Sequence, residues 1–188
     1  MTQPVLHLDF ISLKNPADAG QRSRLAGAAA ELMDLEQVTA GGVIDCSDGS
    51  DFDLIFFFVL TDYQALEPFG TDPRYVAFLQ KNVAPALKTF AGADVAIEGE
   101  VRFPQRSFAA CLALTAPEET YDFEIREALQ RWVEQSGAAL DSIGIAVGEV
   151  RGFRGVSLIF GEEAVEVGRP AVDKFGVTYA TGVARLLG

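Results

Sequence analysis

The chain has 188 residues, and 15 Lys and Arg against 27 Asp and Glu give it a formal net charge of −12. An apolar fraction of 49% with 22% charged residues is typical of a globular protein and excludes a disordered one. The negative charge excludes non-specific binding to nucleic acid or to an anionic membrane. The first residues lack the basic and then apolar pattern of a signal peptide, which predicts a cytoplasmic protein.

Apolar spacing in the first half predicts six elements in the order β-α-β-β-α-β, the split βαβ unit of a ferredoxin-like fold. Asn15 is the predicted N-cap of the first helix, and Gly41-Gly42 is a predicted break. The predicted strands span 5–13, 43–46, 52–60 and 94–97, and the helical regions run to about 35 and over 62–87. In the second helical region the predicted buried stripe is Val76, Leu79, Val83 and Leu87.

The third strand is apolar on both faces. Phe56 and Phe58 point one way, whereas Ile55, Phe57 and Val59 point the other. A strand of this kind must be covered on both sides, and helices of one small unit cover only one of them. The sequence therefore predicts a second layer against the face that the helices leave free.

The second half repeats the order of elements, with predicted strands over 107–115, 143–147, 156–160 and 177–187 and a helix ending at Gly137. Its second helix is poor, since Gly161 to Lys174 includes Gly168 and Pro170. We predict two structural units, 1–103 and 104–188, related by an internal duplication. Units of that size are marginal alone, so we expect them to share one core.

The first half resembles the stress-responsive dimeric α/β-barrel family. The resemblance extends over about half of the chain, and its residues are Val5-Leu6-His7, Ser50-Asp51-Phe52-Asp53-Leu54, Ala65-Leu66, Asp72 to Phe78, Val83 to Leu87 and Asp94-Val95. It implies two ferredoxin-like units packed sheet to sheet around a barrel, here from one chain. The expected fold is α+β, a fused pseudo-dimer that exists as a monomer or pairs further as a homodimer.

Enzymes of that family act on small organic molecules, including polyketide-like chains that they cyclise. They use a histidine near the helix-2 proline and a tyrosine upstream of it. In an alignment on Pro73, the histidine positions hold Asp72 and Tyr75, and the tyrosine position holds Phe69. His7 keeps the family residue on the first strand. The resemblance therefore implies a small-molecule pocket whose helix-2 histidine has been replaced.

His7 and Asp9 are the predicted catalytic residues. His7 is the only histidine, and its ordinary pKa suits acid–base chemistry, while Asp9 on the same strand face can orient it. With Leu6, Leu8 and Phe10 packed on the helices, His7 and Asp9 would point into the barrel. The predicted ligand-binding residues for an apolar or aromatic molecule are Phe57, Phe69, Asp72 and Tyr75. A hydrogen-bonded structural histidine is the alternative.

Other motifs favour structural roles. Cys46 and Cys111 are expected as reduced, buried thiols. The acidic group Asp45, Asp48, Asp51 and Asp53 does not match the spacing of an EF-hand and is expected as a solvated turn. Arg151 and Arg154 fit a hairpin loop, with anion binding as the alternative. No phosphate-binding or dinucleotide-binding motif is found, so no metal or cofactor is predicted.

Two functions remain open. The first is binding of a small apolar or aromatic molecule in the barrel, with acid–base chemistry by His7 and Asp9. The second is a non-catalytic assembly protein of the same fold that has lost the site. The sequence does not decide whether the protein is an enzyme, because a fold hosts both kinds of function.

Overall fold

Two groups of four strands form the sheet. The computed structural model describes residues 3–97, 103, 106–136, 140–146, 152–161, 168–170 and 174–187. The strands in chain order are β1 (Val5–Leu13), β2 (Val38–Cys46), β3 (Leu54–Leu60), β4 (Leu87–Ile97), β5 (Arg106–Thr115), β6 (Leu140–Ala146), β7 (Gly155–Gly161) and β8 (Gly176–Leu186). Pairing is antiparallel throughout, and the order β1-β3-β2-β8-β5-β7-β6-β4 closes a barrel.

Both groups have the ferredoxin-like strand order, 4-1-3-2 in the first sheet and 8-5-7-6 in the second. The two sheets join along β2 with β8 and along β4 with β6. A closed barrel leaves no free sheet edge at these two junctions. The predicted association of two four-stranded units is therefore present within one chain.

Helices cover the outside of each sheet. On the first sheet lie α1 (Ala19–Ala30) with the 3₁₀ turn Glu31–Asp34, then the 3₁₀ turn Tyr63–Ala65, α2 (Leu66–Thr71), α3 (Pro73–Ala77), the π-helical turn Phe78–Val83 and α4 (Ala84–Ala86). On the second sheet lies α5 (Asp122–Ser136). Most of the segment where the poor second helix was predicted lies outside the described residues. None of the described helices is long and apolar enough to cross a membrane.

The interior of the barrel is a single apolar core, with buried side chains from β1–β5, β7 and β8. Phe57 stacks on Phe103 at 5.0 Å, and Phe160 contacts both rings. Ile55, Phe57 and Val59 belong to this interior core, while Phe56 and Phe58 pack under the helices of the first sheet. The prediction that β3 is covered on both faces is confirmed, and the barrel supplies the second layer.

The predicted break at Gly41-Gly42 is wrong, because both glycines lie within β2. A Cβ on Gly42 would come within 2.2 Å of the Phe57 ring, and a Cβ on Gly41 would come within 2.7 Å of the Met33 sulfur. The glycines give room to large side chains on the two faces of the sheet. They interrupt the apolar pattern without interrupting the strand.

Two local predictions in the helices also change. Asp18, not Asn15, is the N-cap of α1, and its carboxylate accepts a hydrogen bond from the Gln21 N–H at 2.8 Å. In the second helical region the buried face is Tyr75, Phe78, Val83 and Ala86, shifted from the predicted stripe. The π-helical turn puts residues five apart on one face, which a 3.6-residue period does not anticipate.

Candidate functional site

Four polar side chains meet between the first sheet and the helices over it. We call His7 and Asp9 of β1, Asp94 of β4 and Tyr75 of α3 the polar cluster. His7 lies opposite Asp94 in the β1–β4 register, and Asp9 lies two residues further along the same face of β1. Their exposed fractions are 2%, 1%, 6% and 2% in the order named. The cluster is therefore almost completely removed from solvent.

Short hydrogen bonds connect the polar cluster. His7 Nδ1 lies 2.5 Å from Asp94 Oδ1, and His7 Nε2 lies 2.8 Å from the Tyr75 hydroxyl. The Tyr75 hydroxyl donates to both carboxylate oxygens of Asp9, at 3.1 and 3.0 Å. Asp9 Oδ1 is also 3.3 Å from His7 Nε2. Phenol, imidazole and two carboxylates thus form one continuous network.

The two carboxylates set the protonation state of His7. Burial disfavours the charged imidazolium, but the charges and hydrogen bonds of Asp9 and Asp94 outweigh it and raise the pKa of His7 to about 9. A protonated ring donates from Nδ1 to Asp94 and from Nε2 to the Tyr75 oxygen, which in turn donates to Asp9. This assignment gives each hydrogen bond of the network a donor and an acceptor. At neutral pH His7 is a proton donor.

Aromatic rings enclose the polar cluster on the helix side. The Phe69 ring meets the His7 ring edge-on with centroids 5.1 Å apart and lies 4.5 Å from the Tyr75 ring. Phe58 lies 6.4 Å from His7. Charged and polar groups within such apolar walls interact more strongly than they would in water. The arrangement therefore places a proton donor, His7, beside a phenol and two carboxylates within apolar walls.

The predicted orientation of His7 and Asp9 is wrong. Leu6, Leu8 and Phe10 face the barrel interior, so His7 and Asp9 point to the helices. The uniformly apolar face of β1 lies in the barrel, among the apolar side chains of the interior core. The mixed face lies under α3, where Tyr75 supplies a hydrogen-bonding hydroxyl.

The four predicted ligand-binding residues do not lie together. Phe69 and Tyr75 join His7 and Asp9, but Phe57 lies on the other face of the sheet in the barrel interior. Asp72 lies between α2 and α3, where its carboxylate caps α3 by accepting from the Arg74 N–H at 2.8 Å. A single pocket lined by all four is therefore not possible, because the sheet separates Phe57 from the others.

Asp94 is the member of the polar cluster that the sequence prediction missed. The sequence prediction starts the fourth strand at Asp94 and gives this residue no role in the site, whereas β4 begins at Leu87. The signal that could have found it is the ferredoxin-like topology itself. In that topology β4 pairs with β1, so an acidic residue within β4 comes to lie beside His7.

The other polar motifs have structural partners. Arg22 pairs with Asp45 and Asp53 and ties α1 to the turn between β2 and β3, and Arg169 pairs with Asp51. The described His, Cys, Asp and Glu residues include no group of three placed to hold a metal ion. Of the four aspartates predicted as a solvated turn, Asp45, Asp51 and Asp53 pair with arginines, and Asp48 is exposed in the turn.

The predicted loop of arginines is described only in part, because Arg151 lies outside the described residues. Arg154 donates to the Pro117 carbonyl at 2.8 Å and pairs with Asp122 at 2.9 Å, which fastens the start of α5. Cys46 and Cys111 are buried and unpaired with each other, and burial raises the pKa of both thiols. Neither thiol is poised as a nucleophile.

Comparison with known proteins identifies the fold of the chain. No protein-family model matches the chain, and no curated protein is significantly similar to it. An anthrone oxidase-like protein matches with a TM-score of 0.66 at 10% identity, over 100% of this chain and 94% of its own. A monooxygenase-like protein from Fusobacterium nucleatum matches with a TM-score of 0.60 at 18% identity, over 100% of this chain and 94% of its own.

A third solved structure covers only half of the chain. It is a dabb family protein with a ferredoxin-like fold from Mesorhizobium loti, 21% identical over 52% of this chain and 100% of its own, with a TM-score of 0.46. The two full-length matches decide the fold class. The chain is a ferredoxin-like α+β barrel. At these identities the matches say nothing about its activity.

Proposed function

We propose that the protein binds a small, largely apolar molecule between α2–α3 and the first sheet, and that Tyr75 and His7 transfer protons to it. The observation that supports this most directly is the line from the Tyr75 hydroxyl through His7 to Asp94, with distances of 2.8 and 2.5 Å. A phenol backed by a protonated imidazole and a carboxylate is an arrangement suited to general acid catalysis.

The proposed site differs from the sequence prediction, which puts the ligand in the barrel interior. The interior contains stacked aromatic side chains, whereas the polar cluster is on the opposite face of the sheet. A small-molecule site needs mostly apolar walls with a few convergent polar groups. The rings of Phe58 and Phe69 supply apolar walls around the polar groups of His7, Tyr75 and Asp9, and a ligand would enter by displacing part of the buried cover.

A proton would move along the network in a defined order. The Tyr75 hydroxyl gives its proton to an oxygen of the ligand, such as a ketone becoming an enol, and the His7 imidazolium gives its Nε2 proton to the phenolate. Asp9, next to the Tyr75 hydroxyl, accepts a proton from the carbon beside that ketone. The ligand loses one proton and gains one, so the step is balanced without a cofactor.

A second candidate function is structural. Both ring nitrogens of His7 are hydrogen-bonded within the protein, and the cluster is almost inaccessible. A buried network of this kind also orders a sheet against its helices. Under this alternative the chain is a non-catalytic assembly protein, as the sequence left open.

The test uses 2-tetralone, an aromatic ketone with exchangeable protons beside its carbonyl. The protein in heavy water should accelerate the loss of those proton signals in NMR spectra. The variants Tyr75→Phe and His7→Gln should each reduce the acceleration by at least tenfold, in the range of a lost general acid. Tyr63→Phe, at an exposed tyrosine of the preceding turn, is the matched control and should exchange at the wild-type rate.

Equal exchange rates for wild type and Tyr75→Phe would refute the acid–base function and leave the structural alternative. Mass spectrometry of small molecules that remain bound through native purification would identify the natural ligand. A compound that is retained by the wild type and lost from His7→Gln would support the same site independently of the probe.

We infer also that the chain consists of two units, 1–103 and 104–188, descended from a duplication. The support is the shared strand order of the two sheets and their joining along two strand pairs. Because these units already form one barrel, we expect a monomer in solution. Light scattering coupled to size-exclusion chromatography distinguishes it from a homodimer.

A further inference from the structure

A groove of about 340 Å³ opens between α1 with its 3₁₀ turn and the α3–π-helical segment. We define the groove by its floor, Leu32 and Phe78, and by the charged residues of its rim, Glu31, Arg74 and Lys81. Both floor residues are almost fully buried. Its volume lies within the range of small-molecule sites and suits a molecule of one or two rings.

The Phe78 ring on the floor of the groove packs toward the sheet that holds the polar cluster. Phe78 stands edge-on against Phe56 with centroids 5.4 Å apart, and Phe56 lies opposite Asp9 in the β1–β3 register. Tyr75 precedes Phe78 by one turn on the same buried face of the helical segment. A ligand that displaced the Phe78 ring would therefore move toward Tyr75.

The rim of the groove carries charges of both signs. Arg74 and Lys81 are its cations and Glu31 is its anion, and Asp72 beside the rim adds a second negative charge. Arg74 is half exposed and forms an ion pair with Asp72, with 3.4 Å between Arg74 Nε and Asp72 Oδ1. Lys81 is exposed and has no ion pair with any residue that the structure describes. A free ammonium above an apolar floor favours an amphipathic anion.

We propose that the groove binds the anionic tail of an aromatic ligand whose ring displaces Phe78 to reach the polar cluster. This proposal rests on the proposed function and specifies its ligand: an aromatic body with a carboxylate or a similar anion at one end. The carboxylates of Asp9 and Asp94 would repel that anion from the polar cluster. The ligand is thereby oriented with its tail at Lys81 and its ring toward Tyr75.

The test compares naphthalene-2-carboxylate with uncharged 2-naphthol by fluorescence titration at two salt concentrations. Lys81→Gln and Arg74→Gln should each weaken binding of the carboxylate about threefold, and the double variant about tenfold, as for partly exposed ion pairs. Glu31→Gln should strengthen it by a similar factor, and added salt should weaken it. Binding of 2-naphthol should be unchanged in all of these variants, and Lys88→Gln on β4 is the control.

The connection between groove and cluster has its own readout. His7 is the only histidine, so its ring signals in NMR spectra are unambiguous and should shift when the carboxylate probe saturates the protein. If Lys81→Gln and Arg74→Gln bind the carboxylate with the same affinity as the wild type, the groove is not its binding site. If binding is weakened by these two substitutions but the His7 ring signals do not shift, the ligand does not reach the polar cluster from the groove. Failure of 2-tetralone exchange, with the groove variants behaving as expected, would instead refute the catalytic function.

Discussion

The outer faces of the two sheets have different residues at matched positions. Alignment of the seven residues of β3 with the seven of β7 places Phe58 with Ile159, and the pairing of neighbouring strands extends the match. His7, Asp9 and Asp94 of the first sheet then correspond to Ala110, Leu112 and Thr181 of the second. The polar cluster thus has no counterpart in the second sheet.

The second sheet shows what this fold needs for packing alone. Under α5 the positions that match His7 and Asp9 are apolar, with Ala110 and Leu112 packed against Ile125, Leu129 and Trp132. A sheet of the same strand order is therefore covered by a helix without a single ion pair at these positions. The first sheet instead buries three ionisable side chains, at a cost in desolvation that apolar residues would avoid.

The described helices over the two sheets are not all equivalent. α5, one continuous helix of 15 residues, follows the first strand of its sheet as α1 does in the first sheet. Five short pieces between Tyr63 and Ala86 cover the polar cluster, and most of the β7–β8 segment that would match them lies outside the described residues. The two sheets therefore differ most clearly at their matched strand positions.

The largest expected effect comes from removing His7. His7→Ala leaves the carboxylates of Asp9 and Asp94 buried without their shared cation, and we expect a loss of about 3–5 kcal/mol in the free energy of unfolding at pH 7. Urea denaturation measures it. Lys88→Ala on the surface should change the stability by less than about 0.5 kcal/mol. A loss in His7→Ala no larger than in Lys88→Ala would show that the cluster is not paired in solution.

The pH dependence of stability should follow the raised pKa of His7. The unfolded chain releases this proton near 6.5 and the folded protein only near 9, so the folded state binds more protons between these values. The stabilisation is complete below pH 6.5 and is lost as the pH rises through 9, by about 3 kcal/mol. Denaturation curves from pH 6 to 10, with His7 ring signals followed by NMR, measure it. Leu112→Ala, at the position matched to Asp9, should keep the same slope.

Much of the fold could be predicted because it depends on local patterns. The strands over 5–13 and 54–60 and the helix ending near 136 follow from alternation or helical spacing, and the two apolar faces of β3 predicted the second layer. What could not be predicted was which face of β1 points into the barrel and which points to the helices. Both of its faces are buried, so the count of apolar residues did not distinguish the barrel side from the helix side.

The candidate site was predictable only in part for the same reason. His7 and Asp9 share a face because they are two residues apart on a strand, and that part depends on no tertiary contact. Tyr75 is predicted only through the family resemblance, and Asp94 joins through the pairing of β4 with β1. Their hydrogen bonds to His7 span 68 and 87 residues, which local spacing does not reveal. The π-helical turn after Tyr75 also shifted the buried face of the helical region away from its predicted stripe.

A smaller effect is expected for Tyr75→Phe. The change keeps the ring against Phe69 but removes the hydroxyl that bridges His7 and Asp9, at a cost of about 1–3 kcal/mol for unpaired buried groups. Thermal or urea unfolding measures it, and Tyr63→Phe on the surface is the control. A Tyr75→Phe protein as stable as this control would indicate that solvent already satisfies the cluster.

Among the variants of the polar cluster, we expect the smallest change in the free energy of unfolding for a triple variant. The triple variant His7→Ala, Asp9→Leu and Asp94→Thr gives the first sheet the residues of the second at matched positions. Replacing all the charged members of a buried ionic cluster together leaves no single charge unpaired and is often neutral or stabilising, so we expect the free energy of unfolding within about 1 kcal/mol of wild type. Exchange of 2-tetralone protons should nevertheless disappear. A loss of stability as large as in His7→Ala alone would mean that the cluster holds the sheet to its helices, and the structural function would then be preferred. Retained stability without exchange would leave proton transfer as the reason for the buried charges.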